Sequence, residues 1–227
     1  MNQRFPARLL PAALLCGLLA IASGPLALPV LNFVFKPLTT LLIIGWAWQR
    51  SGGTTRQWVL AGLGLSLVGD VALLWPEAGF LPGLVAFLFA HAAYLVAFTR
   101  HERFAIRKLP FAAYAAVAAT VMWFLWPALP AALRGPVLAY VAALACMAAQ
   151  AGAVWQARQG TAGAALAARA ALGGALFMTS DATLAVNKFL APVPAAGLCI
   201  LATYWMAQVA IAGSLPSEGP APTGRRA

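Results

Sequence analysis

A chain of 227 residues that is 63% hydrophobic and only 9% charged is not an ordinary soluble domain, in which about a quarter of the residues carry charge. Its net charge of +10 does not mark a nucleic-acid binder, because the basic residues fall in short connections between apolar runs and build no basic, aromatic-rich face. Cys16, Cys146 and Cys199 lie inside apolar runs without metal-type spacing, so they read as buried thiols and not as a disulfide framework.

Eight helices are predicted along the chain. The first, 9–23, follows Arg4 and Arg8 and is stopped by Gly24-Pro25 and Pro29. Its basic start, apolar stretch and Ala20-Ile21-Ala22 also fit a cleavable signal peptide, which would leave seven helices in the same orientation. The second, 34–49, carries Lys36 and Thr40 and ends at Ser51-Gly52-Gly53. The third, 57–75, carries Ser66 and Asp70 and stops at Pro76; the fourth, 80–99, carries His91 and Tyr94. Arg100, Arg103, Arg107 and Lys108 lead into the fifth, 109–126, and Pro127 and Pro130 separate it from the sixth, 136–156. Beyond Gly160 the seventh, 170–188, holds Ser180 and Asp181. Past Pro192 and Pro194 the eighth, 195–213, holds Tyr204 and Gln208.

Runs of about 20 apolar residues suffice to cross a bilayer as a helix. The fold expected is therefore all-α, a polytopic membrane helix bundle of about eight transmembrane helices. Residues 1–215 form a single transmembrane domain, and 216–227, rich in Pro, Gly and polar residues, are expected to be a disordered tail. Twelve of the 15 Lys and Arg residues fall on one side of this alternation, which by the positive-inside rule puts both termini in the cytoplasm. The setting expected is a bacterial inner or plasma membrane.

Ionisable residues inside the helices are few: Lys36, Asp70, His91, Asp181 and, at a helix end, Lys188. Such residues face a bundle interior or a wet cavity and mark function by default. Lys188 is read as snorkelling to the interface, and His91 as either a core histidine or a site residue. A short carboxylate cannot snorkel far, so Asp70 and Asp181 are the harder pair to explain as structure. On the predicted topology Lys36, Asp70 and Asp181 share a slab in the outer half of the membrane, with His91 slightly deeper. Thr40, Ser66 and Tyr94 lie at helix-face spacings from Lys36, Asp70 and His91. Tyr204 and Gln208 share a face of the eighth helix. Gly69-Asp70-Val71-Ala72-Leu73 also echoes Ser180-Asp181-Ala182-Thr183-Leu184; the match is short, and chance or a parallel four-plus-four duplication accounts for it.

Together these residues resemble the YhhN, or lysoplasmalogenase, family of multi-pass membrane proteins. The resemblance runs through Lys36-Pro37 with Thr39-Thr40, Gly69-Asp70 with Leu73, and His91 with Tyr94. It continues through Gly174-Ala175-Leu176-Phe177, Ser180-Asp181, Leu184-Ala185 and Phe189, and ends at Tyr204 with Gln208. It implies hydrolysis of the vinyl ether bond of lysoplasmalogens to a fatty aldehyde and a glycerophospho-alcohol, with Asp70 and Asp181 as catalysts and no cofactor. The partners implied are a lysophospholipid substrate and the bilayer.

Vinyl ether cleavage begins with protonation of the carbon–carbon double bond and continues with attack of water on the oxocarbenium ion. One carboxyl donates the proton and a second stabilises the cation and activates water, as paired carboxylates do in glycoside hydrolysis. Sequence does not say which aspartate plays which part. Lys36 is expected to hold the lipid phosphate as a point charge, and Thr40, Ser66, His91, Tyr94, Ser180, Tyr204 and Gln208 to support the site. A catalytic zinc takes three protein ligands, and with only His91 and His101 available no metal is expected. Ser180 lacks the Gly-x-Ser-x-Gly elbow of a nucleophile. The non-enzymatic alternative is a proton-coupled transporter of a small or lipid-like substrate.

Overall fold

The computed structural model describes residues 6–217, which form eight α-helices: α1 (Pro6–Ala22), α2 (Pro29–Trp48), α3 (Gly53–Ala72), α4 (Phe80–Thr99), α5 (Lys108–Leu125), α6 (Ala131–Arg158), α7 (Ala164–Phe189) and α8 (Ala196–Gly213). All eight predicted helices are present. Helices α2, α3, α6 and α7 each start four to six residues before the predicted position, and proline accounts for two of these differences. Pro29 opens α2, where its missing N–H is one the helix cannot use. Pro136 lies within α6 in place of starting it. There it leaves unpaired only the carbonyl of Ala132, in the first turn.

Among the described residues five segments are long and apolar enough to cross a membrane: α2, α4, α6, α8, and α5 extended through the short 3-10 turn at Trp126–Ala128. Helices α3 and α7, which carry the two aspartates, are diluted by glycine and hydroxyl residues and complete the bundle through packing. The molecule is inside-out relative to a soluble protein. Leu14, Leu18, Leu109, Trp123, Phe124 and Leu172 face outward, whereas Lys36, Thr40, Ser66, Asp70, His91, Gln150, Ser180 and Gln208 are buried. Exposed apolar surface on this scale needs hydrocarbon as its solvent. This is an integral membrane protein.

Six helices close a ring, in the order α2, α3, α4, α6, α7, α8 and back to α2; α1 packs outside α2 and α8, and α5 outside α6. Each contact recurs four helices later. Helix α2 meets α3 as α6 meets α7, α3 meets α4 as α7 meets α8, and α4 meets α6 as α8 meets α2. The ring therefore sets α3 opposite α7, and Asp70 opposite Asp181. Glycine permits the close approach on both sides, as small residues do between membrane helices. A Cβ at Gly69 would come 2.5 Å from the Phe87 ring of α4, and one at Gly174 would come 2.8 Å from the Ala148 backbone of α6.

One end of the ring is basic. Arg50 Nη2 donates to Leu215 O at 2.7 Å, Arg56 Nη1 to Arg50 O at 2.9 Å, and Arg169 Nη1 to Gly213 O at 3.1 Å. These guanidiniums satisfy carbonyls that helix ends leave open. Arg158 pairs with Glu102 at 3.1 Å, tying α6 to the connection between α4 and α5. At the start of the predicted tail, Ser51 N donates to Pro216 O at 3.0 Å, and Arg50 forms an antiparallel bridge with Ser217. Residues 218–227 of that tail, and Arg4 at the start, lie outside the described residues.

Candidate active site

Four ring helices deliver a polar side chain at a similar distance from their ends opposite the arginines. Lys36 lies seven residues into α2, Tyr204 eight into α8 and Tyr140 nine into α6, and Asp181 stands eight before the end of α7. At 1.5 Å per residue these are about 10–13 Å below the helix ends. Asp70 is carried on α3 two residues before its end, and His91 on α4 lies deeper, about 16 Å down.

A cavity of about 110 Å³ opens between these side chains, lined by Lys36, Asp70, Tyr140, Ser180, Asp181 and Tyr204 among many apolar groups. Its walls continue toward the same end of the bundle through Phe80, Leu84, Leu125, Val137 and Phe189. At that end Lys188 packs its ammonium 4.5 Å from the centre of the Phe80 ring and 5.9 Å from that of Phe189. It also donates to Pro76 O at 3.4 Å.

Asp70 is 1% exposed and ringed by donors. Thr40 Oγ1 donates to its Oδ2 at 2.6 Å and the Tyr204 hydroxyl to the same oxygen at 2.7 Å; Lys36 Nζ stands 3.8 Å from Oδ1. The residue spacing that puts Thr40 one turn beyond Lys36 thus lets α2 serve both oxygens of one carboxylate. A buried carboxylate needs this compensation, because desolvation removes the water that would otherwise hold its charge.

Asp181 is held differently. The Tyr140 hydroxyl donates to its Oδ2 at 2.5 Å, and His91 Nε2 lies 3.1 Å from the Tyr140 oxygen and 3.6 Å from Asp181 Oδ2. His91 packs edge-on against Phe177 and Tyr140, which fixes the ring. The Asp181 side chain keeps 14% of its surface open, and no hydrogen bond among the described residues reaches its Oδ1.

Of the side chains singled out from sequence, Lys36, Asp70, Ser180, Asp181 and Tyr204 line the cavity, and Thr40 and His91 stand directly behind them. Ser180 turns its hydroxyl to Ile200 O at 3.0 Å and ties α7 to α8. Ser66, Tyr94 and Gln208 lie off the cavity in the buried core, where the Tyr94 hydroxyl donates to Gln208 Oε1 at 2.6 Å. Sequence reasoning missed Tyr140, although a hydroxyl in the apolar sixth helix needs a partner, and the four-helix echo asks α6 for a group facing Asp181 as α2 faces Asp70. Gln150 was missed as well: it accepts from Ala105 N at 3.0 Å and anchors the basic connection. Among the described residues no three His, Cys, Asp or Glu side chains are grouped to hold a metal ion.

Fold and site together define a polytopic membrane protein with two carboxyl groups facing one apolar cavity among its helices. The chain belongs to the YhhN family, whose model matches residues 31–215. It is 36% identical over 188 residues to the lysoplasmalogenase TMEM86B of Sus scrofa, covering 81% of this chain and 74% of that protein. It is 35% identical over 181 residues to the lysoplasmalogenase TMEM86B of Homo sapiens, covering 78% and 71%. To the lysoplasmalogenase TMEM86A of Homo sapiens it is 33% identical over 162 residues, covering 68% and 63%. No solved structure matches the chain.

Proposed function

We propose that this protein hydrolyses the vinyl ether bond of lysoplasmalogen-type lysophospholipids, releasing a fatty aldehyde and a glycerophospho-alcohol. The observation that carries the reading is that Asp70 and Asp181 line one apolar cavity. Its relatives named lysoplasmalogenase supply the substrate class. The apolar wall of Leu84, Val121, Leu125, Val141 and Leu144 suits the part of a fatty chain next to the vinyl ether, whose oxygen the two carboxyls would meet.

The basic end of the ring faces the cytoplasm in this reading, following the positive-inside rule. The cavity then opens toward the outer leaflet, in a bacterium the periplasmic side of the inner membrane. Lys36 is occupied with Asp70 and acts as its counter-ion. Lys188, exposed two turns beyond Asp181 on α7, is the cation placed to meet the phosphate as the vinyl ether reaches the aspartates.

The reading is tested by aldehyde release from a synthetic 1-alkenyl lysophospholipid by the purified protein in vesicles. Catalytic release in wild type, lost in Asp181→Asn, supports it. Lipid movement across the vesicle without turnover would favour a carrier.

A further inference from the structure

The two aspartates sit in unlike surroundings, and the difference divides their labour. We propose that Asp181, and not Asp70, donates the proton, with Tyr140 and His91 as its positioning pair; this rests on the vinyl ether reading above. Asp70 has an ammonium on Oδ1 and two hydroxyls on Oδ2. An ammonium is a donor only, so a proton on Oδ1 would face another proton and strand Lys36 without its anion. Asp70 is the fixed negative charge of the site.

Asp181 has the opposite arrangement. No lysine or arginine pairs with it among the described residues; the imidazole of His91 from α4 and the phenol of Tyr140 from α6 stand against it, and it shares the cavity with Lys36, Asp70, Ser180 and Tyr204 and with apolar side chains such as Ala118 and Val121 of α5. Tyr140 fastens Oδ2 and leaves Oδ1 free on the cavity side, where it can carry a proton to substrate. Because Tyr140 spends its only proton on Asp181, the phenol oxygen receives the N–H of His91 Nε2. His91 Nδ1 has no partner. The neutral Nε2–H tautomer leaves only an acceptor unpaired there, whereas the other tautomer would bury an unpaired donor. His91 thus points Tyr140, and Tyr140 points Asp181.

The steps balance with water as the only co-reactant. The Oδ1 proton of Asp181 goes to the β-carbon of the vinyl ether; the π pair forms the new C–H bond, and an oxygen lone pair makes the α-carbon an oxocarbenium. Asp181, now a carboxylate, takes a proton from the water that adds to that carbon. The hemiacetal then loses its glycerol oxygen, which leaves with the hydroxyl proton as the aldehyde C=O forms. Asp70, on the opposite helix, supplies fixed negative charge to the cation between them.

Infrared spectroscopy of the protein in vesicles tests the assignment without substrate, through the C=O stretch of a protonated carboxyl group and its shift in D₂O. We expect that band in wild type and in Asp70→Asn, and its absence in Asp181→Asn. In Tyr140→Phe it moves to higher frequency as the hydrogen bond to Oδ2 is lost, and kcat falls about 10–100-fold with KM nearly unchanged, the size of a misplaced catalytic group. A band that survives Asp181→Asn and vanishes in Asp70→Asn would overturn the proposal. So would the absence of any such band in an active wild type, or a Tyr140→Phe variant with an unmoved band and full kcat. Because the spectrum needs no substrate, failure of aldehyde release leaves the proton assignment standing and counts only against the vinyl ether reading.

Discussion

Lys36 Nζ and Asp70 Oδ1 stand 3.8 Å apart, with Lys36 7% and Asp70 1% exposed. Removing either partner leaves the other buried without its counter-ion, and breaking a buried pair in this way typically costs about 3–5 kcal/mol. Asp70→Asn is therefore expected to lower thermal stability in detergent, and Lys36→Met likewise. The double variant Lys36→Met/Asp70→Asn should recover most of that loss while remaining inactive. Melting temperatures of the four proteins, read beside aldehyde release, check this; a double variant no more stable than either single would show that the pair is not what holds Asp70.

This pair also shows where sequence stops. The carboxyls, the lysine and the helices that carry them are legible, because ionisable residues stand out in apolar runs and each helix has its breakers. Partnership is not legible. A lysine seven residues into α2 shows no partner in the sequence: it is expected to hold the lipid phosphate, whereas in the closed ring it stands 3.8 Å from Asp70. Tyr140 was missed for the same reason: a tyrosine amid alanine and leucine has no visible partner until α6 is set beside α7. Conversely, Ser66, Tyr94 and Gln208 share helix faces with site residues, yet point into the core beyond the cavity, since a shared face does not fix depth.

Lys188 packs against the two phenylalanines at the cavity end, Phe80 and Phe189. Lys188→Gln should raise KM for a phosphate-bearing lysolipid several-fold and leave kcat within about two-fold, the pattern of lost uniform binding. Steady-state kinetics in mixed micelles check it. An equal fall in kcat would place Lys188 in the chemistry.

Helix α3 approaches α4 through Gly62, where an added Cβ would run into the Tyr94 ring, whereas at Gly64 nothing lies within 4 Å. Gly62→Ala should destabilise the protein by about 1–3 kcal/mol, as overpacking does. Gly64→Ala should be neutral or slightly stabilising, since alanine is the better helix former. Thermal unfolding of the pair separates close packing from helix propensity.

The proposed orientation rests on the basic end of the ring facing the cytoplasm. Reporter fusions after Arg56, Arg107 and Arg169 should read cytoplasmic, and fusions near Glu77 and Arg134 external. The reverse pattern would open the cavity to the inner leaflet and supply the substrate from that side.

Protonation at carbon is the central chemical claim, and the product records it. The purified protein, given a 1-alkenyl lysophospholipid in D₂O, should release an aldehyde carrying one deuterium at the carbon next to the carbonyl, trapped by immediate reduction and read by mass spectrometry. Aldehyde released without that deuterium, or no aldehyde from folded wild-type protein, would contradict the account.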